Sequence, residues 1–229
     1  MRIIFVRHGH PDYKLDCLTE LGRRQAQAVA RRLEGERINR ICSSTMGRAM
    51  ETADYIARLK SMEVEHYDFM REIEWGPADG EINLSDDYFD VETRGESLLN
   101  PNWMKEEPFC RNKVVGYIEA MAENLDKWLE QFGYFREGDY YRVKGGSAES
   151  VVMVSHGGSS TAALSRLFNL PYPLMRKIIA PYLTAVTIVS LRGEDGSLIL
   201  PYFEIANDTR HVAGITAETV CQQKIETTL

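Results

Sequence analysis

Two short apolar segments of this chain end in the same polar step, a histidine followed by a glycine. Residues 2–6 read Arg-Ile-Ile-Phe-Val and lead into Arg-His-Gly at 7–9. Residues 151–154 read Val-Val-Met-Val, and Ser-His-Gly follows at 155–157. Short runs of branched apolar residues that are bounded by polar residues and glycine are typical of buried strands. The chain is therefore constrained to a sheet in which two strands each end at a histidine.

The remaining segments alternate between helical and strand patterns. Thr19 is the predicted N-cap of a helix that ends near Gly35. Apolar residues at helical spacing predict another helix over residues 114–132. Further strands are predicted over residues 40–43, 64–67, 184–191 and 198–205. This alternation predicts an α/β fold, a three-layer αβα sandwich with helices on both faces of a mostly parallel central sheet.

The length of 229 residues fits one domain over 1–229. No helical or strand periodicity of apolar residues persists from about 77 to 111, where acidic residues greatly outnumber the basic Arg94, Lys105 and Arg111. We interpret this stretch as an inserted acidic segment or lid.

Charge and cysteine usage exclude several classes of protein. The net charge of −7 argues against a nucleic-acid binder, and no apolar run is long enough to span a membrane. The four cysteines are scattered without a CxxC pair, which disfavours a zinc site or a disulfide framework. The first apolar run is too short for a signal peptide, so we expect a cytoplasmic protein with reduced thiols.

The polar residues at the strand ends have the chemistry of a phosphate site. Ligands of open α/β sheets bind at the carboxyl ends of the strands, where His8 and His156 would face one pocket. Arg7 is adjacent to His8, and Arg48 lies in a helix that we expect Ser44 or Thr45 to cap. Guanidinium groups match phosphate oxygens in a bidentate manner, and the helix starting at Gly157 would point backbone N–H groups at an anion. Such a site has little need of a metal ion.

These residues belong to an ordered set of motifs that resembles the histidine phosphatase superfamily, the proteins with a phosphoglycerate mutase-like fold. The resembling segments span most of the chain: Arg7-His8-Gly9, Leu18-Thr19-Glu20-Leu21-Gly22, Ser43-Ser44 to Arg48-Ala49, Glu72 with Gly76, Ser155-His156-Gly157-Gly158, and Asn207-Asp208 with His211.

The resemblance implies a phosphatase that forms a phosphohistidine intermediate on a small phosphorylated substrate, without a cofactor or a metal. His8 would be the nucleophile, while Arg7, Arg48 and His156 would bind the transferring phosphoryl group.

Glu72 would then be the proton donor to the leaving oxygen. Only the family spacing Glu-x-x-x-Gly selects it, since Glu74, Asp79 and Glu81 stand nearby.

The sequence departs from the family pattern just after the first histidine. His10 and Pro11 stand where relatives often carry an acidic or amide residue and a threonine, and Lys14 replaces a frequent asparagine. His10 and Lys14 are therefore additional candidates for substrate contact. The link from Gly9 to residue 18 is short, which favours a phosphatase over a mutase.

Three alternatives stay open at this point. One is a phosphotransferase of the phosphoglycerate mutase type, and another is a phosphate-binding or scaffold domain weakened by the residues at 10, 11 and 14. The third is a metal-dependent hydrolase built on the His-x-His step of His8 and His10, which would need further ligands.

Overall fold

A six-stranded sheet forms the centre of the protein in a computed structural model that describes residues 1–76, 96–107 and 109–215. The strands are β1 (Arg2–Arg7), β2 (Pro11–Asp12), β3 (Cys17–Leu18), β4 (Arg40–Ser44), β5 (Val64–Tyr67), β6 (Tyr134–Glu137), β7 (Tyr140–Val143), β8 (Ser150–Ser155), β9 (Val186–Ser190), β10 (Leu198–Ile199) and β11 (Tyr202–Asp208). The α-helices are α1 (Glu20–Arg32), α2 (Gly47–Lys60), α3 (Val114–Glu130), α4 (Gly157–Phe168) and α5 (Tyr172–Ile178). Short 3₁₀ helices cover Asp68–Met70, Glu96–Leu99, Trp103–Lys105, Phe109–Arg111 and Arg210–Val212.

The central sheet is mostly parallel, as predicted. Its strand order is β11-β9-β1-β8-β4-β5, and only β9 runs against the other five strands. The neighbours β1 and β8 are in parallel register, with Arg7 opposite Ser155. The residues that follow these two positions, His8 and His156, therefore leave the sheet side by side.

Helices cover both faces of the sheet, which confirms the three-layer sandwich. Alternate side chains of β1 and β8 point to opposite faces because the side-chain period of a strand is two residues. The face with α1 and α2 is filled by Ile4, Val6, Val152, Val154, Val29 and Ala53. The face with α3 and α4 is filled by Ile3, Phe5, Val151, Met153, Leu125 and Leu164.

The first helix starts as the sequence predicts, because the Thr19 hydroxyl accepts a hydrogen bond from Gly22 N at 3.1 Å. The expected cap of α2 is wrong: the N-cap is Met46 and makes no side-chain cap. Ser44 Oγ instead accepts from Met46 N at 3.2 Å, and the Thr45 hydroxyl donates to Asp68 at 2.6 Å. Both hydroxyls are used just ahead of the helix.

The strand predicted over 198–205 is two strands in two different sheets. β10 pairs with β7 in a small three-stranded sheet, whereas β11 pairs with β9 in the central sheet. Pro201 separates them, and a proline lacks the N–H that a continuous ladder requires. The helix α5, which follows Pro171, has no counterpart among the predicted elements.

The predicted acidic insertion at about 77–111 lies largely outside the described residues, since 77–95 and 108 are not described. Its described end packs against the core: Trp103 and Phe109 are buried, and their rings meet at 4.9 Å between centroids. None of the helices in the described part of the chain has the length and apolar character needed to cross a bilayer.

The turn that follows β1 packs directly against the first turn of α1. A Cβ on Gly22 would lie 2.1 Å from His10 O, and a Cβ on Gly9 would lie 2.6 Å from Gly22 O. His10 N also donates to the Gln25 side chain at 2.7 Å. Glycine at position 22 therefore fixes the path of the backbone as it leaves His8.

We expect Gly22→Ala to destabilise the protein by about 1–3 kcal/mol, because the added methyl group would overlap backbone atoms that cannot rotate away. Gly116 is the matched control: it lies within α3 and a Cβ there meets nothing within 4 Å. Gly116→Ala should raise stability slightly, by about 0.5–1 kcal/mol. Urea unfolding of both variants measures the difference, and equal stabilities would contradict the close approach.

Candidate active site

His8 is held as a neutral imidazole whose unprotonated ring nitrogen faces Arg48. The side chain is buried at the end of β1, with its Nδ1 atom 2.7 Å from Gly9 O and its Nε2 atom 3.3 Å from Arg48 Nε. A carbonyl can only accept and a guanidinium can only donate, so these partners assign the proton to Nδ1. The lone pair is therefore on Nε2, on the side of Arg48.

His156 lies against His8, with ring centroids 5.0 Å apart in an edge-to-face arrangement. Its Nε2 is 2.8 Å from Ser44 Oγ, a hydroxyl that already accepts from Met46 N. A serine hydroxyl both donates and accepts, so this contact is compatible with either tautomer of His156. The Nδ1 atom of the same imidazole is buried and has no hydrogen-bond partner within the described residues.

Burial and neighbouring arginines keep both imidazoles uncharged. Burial lowers the pKa of His8 well below its usual value, and the charge of Arg7 adds to the effect. Burial also lowers the pKa of His156 to about 2, with contributions from Arg48 and Arg7. The positive charge of the site therefore comes from the arginines, while the histidines are neutral at physiological pH.

The guanidinium of Arg48 is buried beside His8 and fixed on several sides. Its Nη1 donates to Asp16 Oδ1 at 2.5 Å, and its Nη2 lies 3.6 Å from Met46 Sδ. The ring of Tyr13 lies 5.4 Å from the guanidinium carbon.

The Arg7 side chain reaches the start of α4. A Cβ on Gly157 would lie 3.4 Å from the Arg7 guanidinium carbon, which places the guanidinium in van der Waals range of this residue. The Nη1 atom of Arg7 donates to Pro181 O at 3.0 Å. The Nε atom is buried and has no hydrogen-bond partner within the described residues.

The loop that receives Arg7 is fastened by Asn207, at the end of β11. Asn207 Oδ1 accepts from Tyr182 N, and Asn207 Nδ2 donates to Ala180 O, each at 3.0 Å. Thr184 N in turn donates to Arg7 O at 3.1 Å. Two segments far apart in the sequence therefore hold the first arginine.

Glu72 lies at the N-terminus of α4, the helix that follows His156. Its Oε1 atom accepts from Ser159 N at 3.1 Å, and a Cβ on Gly158 would lie 2.6 Å from it. Glu74 instead pairs with Lys113 at 2.9 Å, which lowers the pKa of that carboxyl. Asp79 and Glu81 lie outside the described residues. Among the described carboxylates of this segment, the geometry favours Glu72 over Glu74.

The two further candidates, His10 and Lys14, have other described contacts. His10 Nδ1 is 3.0 Å from Thr19 Oγ1 at the start of α1. Lys14 is exposed, and its backbone N–H donates to Asp12 in a turn. No hydrogen bond or ion pair within the described residues connects either side chain with the cluster of His8, His156, Arg7 and Arg48.

The two remaining histidines lie outside this cluster. His66 Nδ1 is 2.8 Å from Ser43 Oγ, and His211 Nε2 is 3.3 Å from Thr184 Oγ1. Across the described residues, no group of three or more histidine, cysteine, aspartate or glutamate side chains has the arrangement of a metal site. The donor set of a metal-dependent hydrolase is therefore missing from this part of the chain.

Sequence reasoning did not place Ser44 or Asp16 in the site. Ser44 had a usable signal, since it ends β4 and β4 is the neighbour of β8 in the sheet. Asp16 had none, because its contact with Arg48 depends on how a loop folds back over α2.

Comparison with known proteins identifies relatives of this chain by sequence. The chain is 30% identical over 206 residues to phosphoglycerate mutase-like protein 4 of Arabidopsis thaliana, covering 84% of this chain and 80% of the relative. It is 28% identical over 182 residues to glucosyl-3-phosphoglycerate phosphatase of Mycobacterium tuberculosis, covering 74% and 76%.

The fold has close counterparts among solved structures. That of the mycobacterial glucosyl-3-phosphoglycerate phosphatase superposes with a TM-score of 0.63 at 23% identity, covering 91% of this chain and 99% of the other. The family profile described as the histidine phosphatase superfamily (branch 1) matches residues 3–202. The chain belongs to the histidine phosphatase superfamily, whose phosphatase and mutase-like members act on phosphate esters.

Proposed function

We propose that this protein hydrolyses small phosphomonoesters by transferring the phosphoryl group to His8 and then to water. One observation carries the proposal: a buried N–H donor without a described partner, Arg7 Nε, lies in the same site as the Nε2 lone pair of His8. Unsatisfied buried donors in a native site require an explanation, and an anionic ligand supplies one.

In the first step, His8 Nε2 attacks phosphorus and the bond from phosphorus to the ester oxygen breaks. The neutral imidazole is competent for this attack, and the carbonyl of Gly9 stabilises the positive charge that develops on the ring. Arg48 Nε, which now donates to Nε2, moves its hydrogen bond to a phosphoryl oxygen. Arg7 and His156 donate to the remaining oxygens.

Glu72 handles the protons of both steps. In its acid form it donates a proton to the leaving alcohol oxygen. The resulting carboxylate then takes a proton from the water that attacks phosphohistidine, which releases inorganic phosphate and restores His8. The position of Glu72 beside the start of α4 supports this role.

The alternatives have less support. The link after Gly9 consists only of the short strands β2 and β3 and their turn, which favours hydrolysis over mutase-type transfer. The unprotonated Nε2 of His8 beside Arg48 supports a nucleophilic role and so favours an enzyme over a merely phosphate-binding scaffold. We propose that no metal or cofactor takes part, because the arginines already supply positive charge. We also propose that the protein acts in the cytoplasm without a nucleic-acid or membrane partner.

His8 should carry an acid-labile, alkali-stable phosphoryl label during turnover, because a phosphoramidate has that stability profile. Rapid-quench labelling with a radiolabelled aryl phosphate in the presence of EDTA measures it. His8→Ala should abolish both label and turnover, while the control His66→Ala, at an exposed position on β5, should retain both. Turnover by the wild-type enzyme without any such label would exclude the covalent mechanism, and loss of activity on chelation would exclude metal independence.

Glu72→Gln should slow alkyl phosphates by about 100-fold or more and p-nitrophenyl phosphate far less, because acid catalysis matters most for a basic leaving oxygen. Glu74→Gln, a change of the same kind two residues away, should leave both rates near wild type. Steady-state kinetics on the two ester classes makes the comparison. An equal loss for both esters, or a larger effect at Glu74, would remove Glu72 from the mechanism.

A further inference from the structure

A cleft of about 680 Å³ opens directly beside the phosphate site. Arg48 and Glu72 line it, so it is continuous with the groups that would bind the phosphoryl group and protonate the leaving oxygen. Tyr117, Ala120 and Met121 of α3 form part of its wall. The alcohol part of a bound ester would extend into this space.

The size and lining of the cleft indicate what that alcohol is. A space of about 300–1,000 Å³ is typical of sites for drug-sized molecules and exceeds what a three-carbon alcohol fills. The apolar side chains that line it are Met46, Phe69, Ile73, Ala120 and Met121. Methionine side chains adapt to irregular apolar shapes and contact aromatic rings well.

The charges in the cleft do not favour a second anion on the substrate. Besides Arg48 and Glu72, the charged lining residues are Asp68, Arg71 and Glu74. Arg71 donates to the Thr45 hydroxyl at 3.1 Å, and that hydroxyl donates to Asp68. The single positive charge of Arg71 stands against the carboxylates of Asp68 and Glu74, so this part of the cleft wall has no excess of positive charge.

We infer that the substrate is a phosphomonoester of a bulky, largely apolar alcohol that carries no second anionic group. This rests on the proposed function, because it assigns the cleft to the leaving group of the reaction at His8. Specificity then comes from apolar contact with the side chains of Met46, Phe69 and Met121 rather than from a carboxylate site.

The wild-type enzyme should prefer 2-naphthyl phosphate over phenyl phosphate by about 10-fold in kcat/KM, since the leaving groups are similarly acidic and differ by one buried ring. 3-Phosphoglycerate should be a poorer substrate than either. Ala120→Trp should fill the cleft and remove the naphthyl preference while phenyl phosphate turnover persists. Glu119→Trp is the control, because Glu119 lines a different groove beside α3.

Equal kcat/KM for the two aryl esters in the wild type, a preference for 3-phosphoglycerate, or a naphthyl preference that survives Ala120→Trp would overturn the inference. Each of these results leaves the proposed hydrolysis intact. Failure of the proposed function is distinguishable, because neither aryl ester would then be turned over.

A second inference concerns Asp16 and stands on different contacts. Its carboxylate accepts from Arg48 Nη1 at 2.5 Å through Oδ1 and from Gly47 N at 2.7 Å through Oδ2. Asp16 has a φ of 48°, in the left-handed region that a residue with a Cβ adopts at a cost. A Cβ on Gly47 would lie 2.1 Å from Asp16 O, so glycine admits this approach.

A negative charge beside a phosphate site weakens binding of the anion by repulsion. The presence of Asp16 here therefore calls for a role that offsets this cost. Here the carboxylate bridges Arg48 to the first residue of the helix that carries it. We propose that Asp16 is a positioning residue that holds the Arg48 guanidinium in the orientation needed by the phosphoryl group.

Asp16→Asn keeps an acceptor for Gly47 N but removes the ion pair. We expect kcat for p-nitrophenyl phosphate to fall about 10-fold and inhibition by inorganic phosphate to weaken, although a negative charge has been removed. Asp54→Asn, on the exposed side of α2, controls for net charge and should change neither value.

In an Arg48→Ala background, Asp16→Asn should cause no further loss of kcat, because the two residues act through one contact. Tighter phosphate inhibition with unchanged kcat, or additive losses in the double variant, would overturn the assignment. Thermal unfolding of the single variant establishes that the chain is folded, and a kcat loss that only follows unfolding would also overturn it.

Discussion

The parallel pairing of β1 with β8 is the interaction on which the site depends. The register that sets Arg7 opposite Ser155 makes His8 and His156 leave the sheet together, and their rings meet at 5.0 Å. A shift of one residue would turn the buried side chains of either strand to the wrong face of the sheet. The two packed helical layers therefore fix the register, and the register fixes the distance between the histidines.

The site concentrates fixed positive charge next to neutral imidazoles. Arginine stays protonated at any physiological pH, whereas burial and the arginines themselves lower the pKa of both histidines. In the proposed mechanism this arrangement separates two tasks that a protonated histidine would combine: the arginines attract the anion, and His8 keeps its lone pair. The buried Nε–H of Arg7, which has no hydrogen-bond partner among the described residues, is available to an oxygen of the proposed phosphate ester.

The sequence predicts those features that depend on local pattern. Apolar runs ending in His-Gly predict β1 and β8, and the Thr19 cap predicts the start of α1, because each signal lies within a few residues. The break at Pro201 and the cap of α2 were missed, since apolar content and hydroxyl residues alone do not specify them. Choosing Glu72 over Glu74 required the position of Lys113, and the contact of Asp16 with Arg48 required the path of a loop. Both are tertiary facts without a local signature.

The first strand of the chain lies in the middle of the sheet, and this governs when the site can exist. Its two neighbours are β8 and β9, so β1 has no complete ladder until residue 190 is available to pair with Arg2. The loop that receives Arg7 is fastened by Asn207, later still in the chain. Contacts of such long sequence separation form late and slowly. During synthesis His8 is therefore among the first residues made, yet its pocket closes only near the end, so a partly made chain has the histidine without its surrounding site.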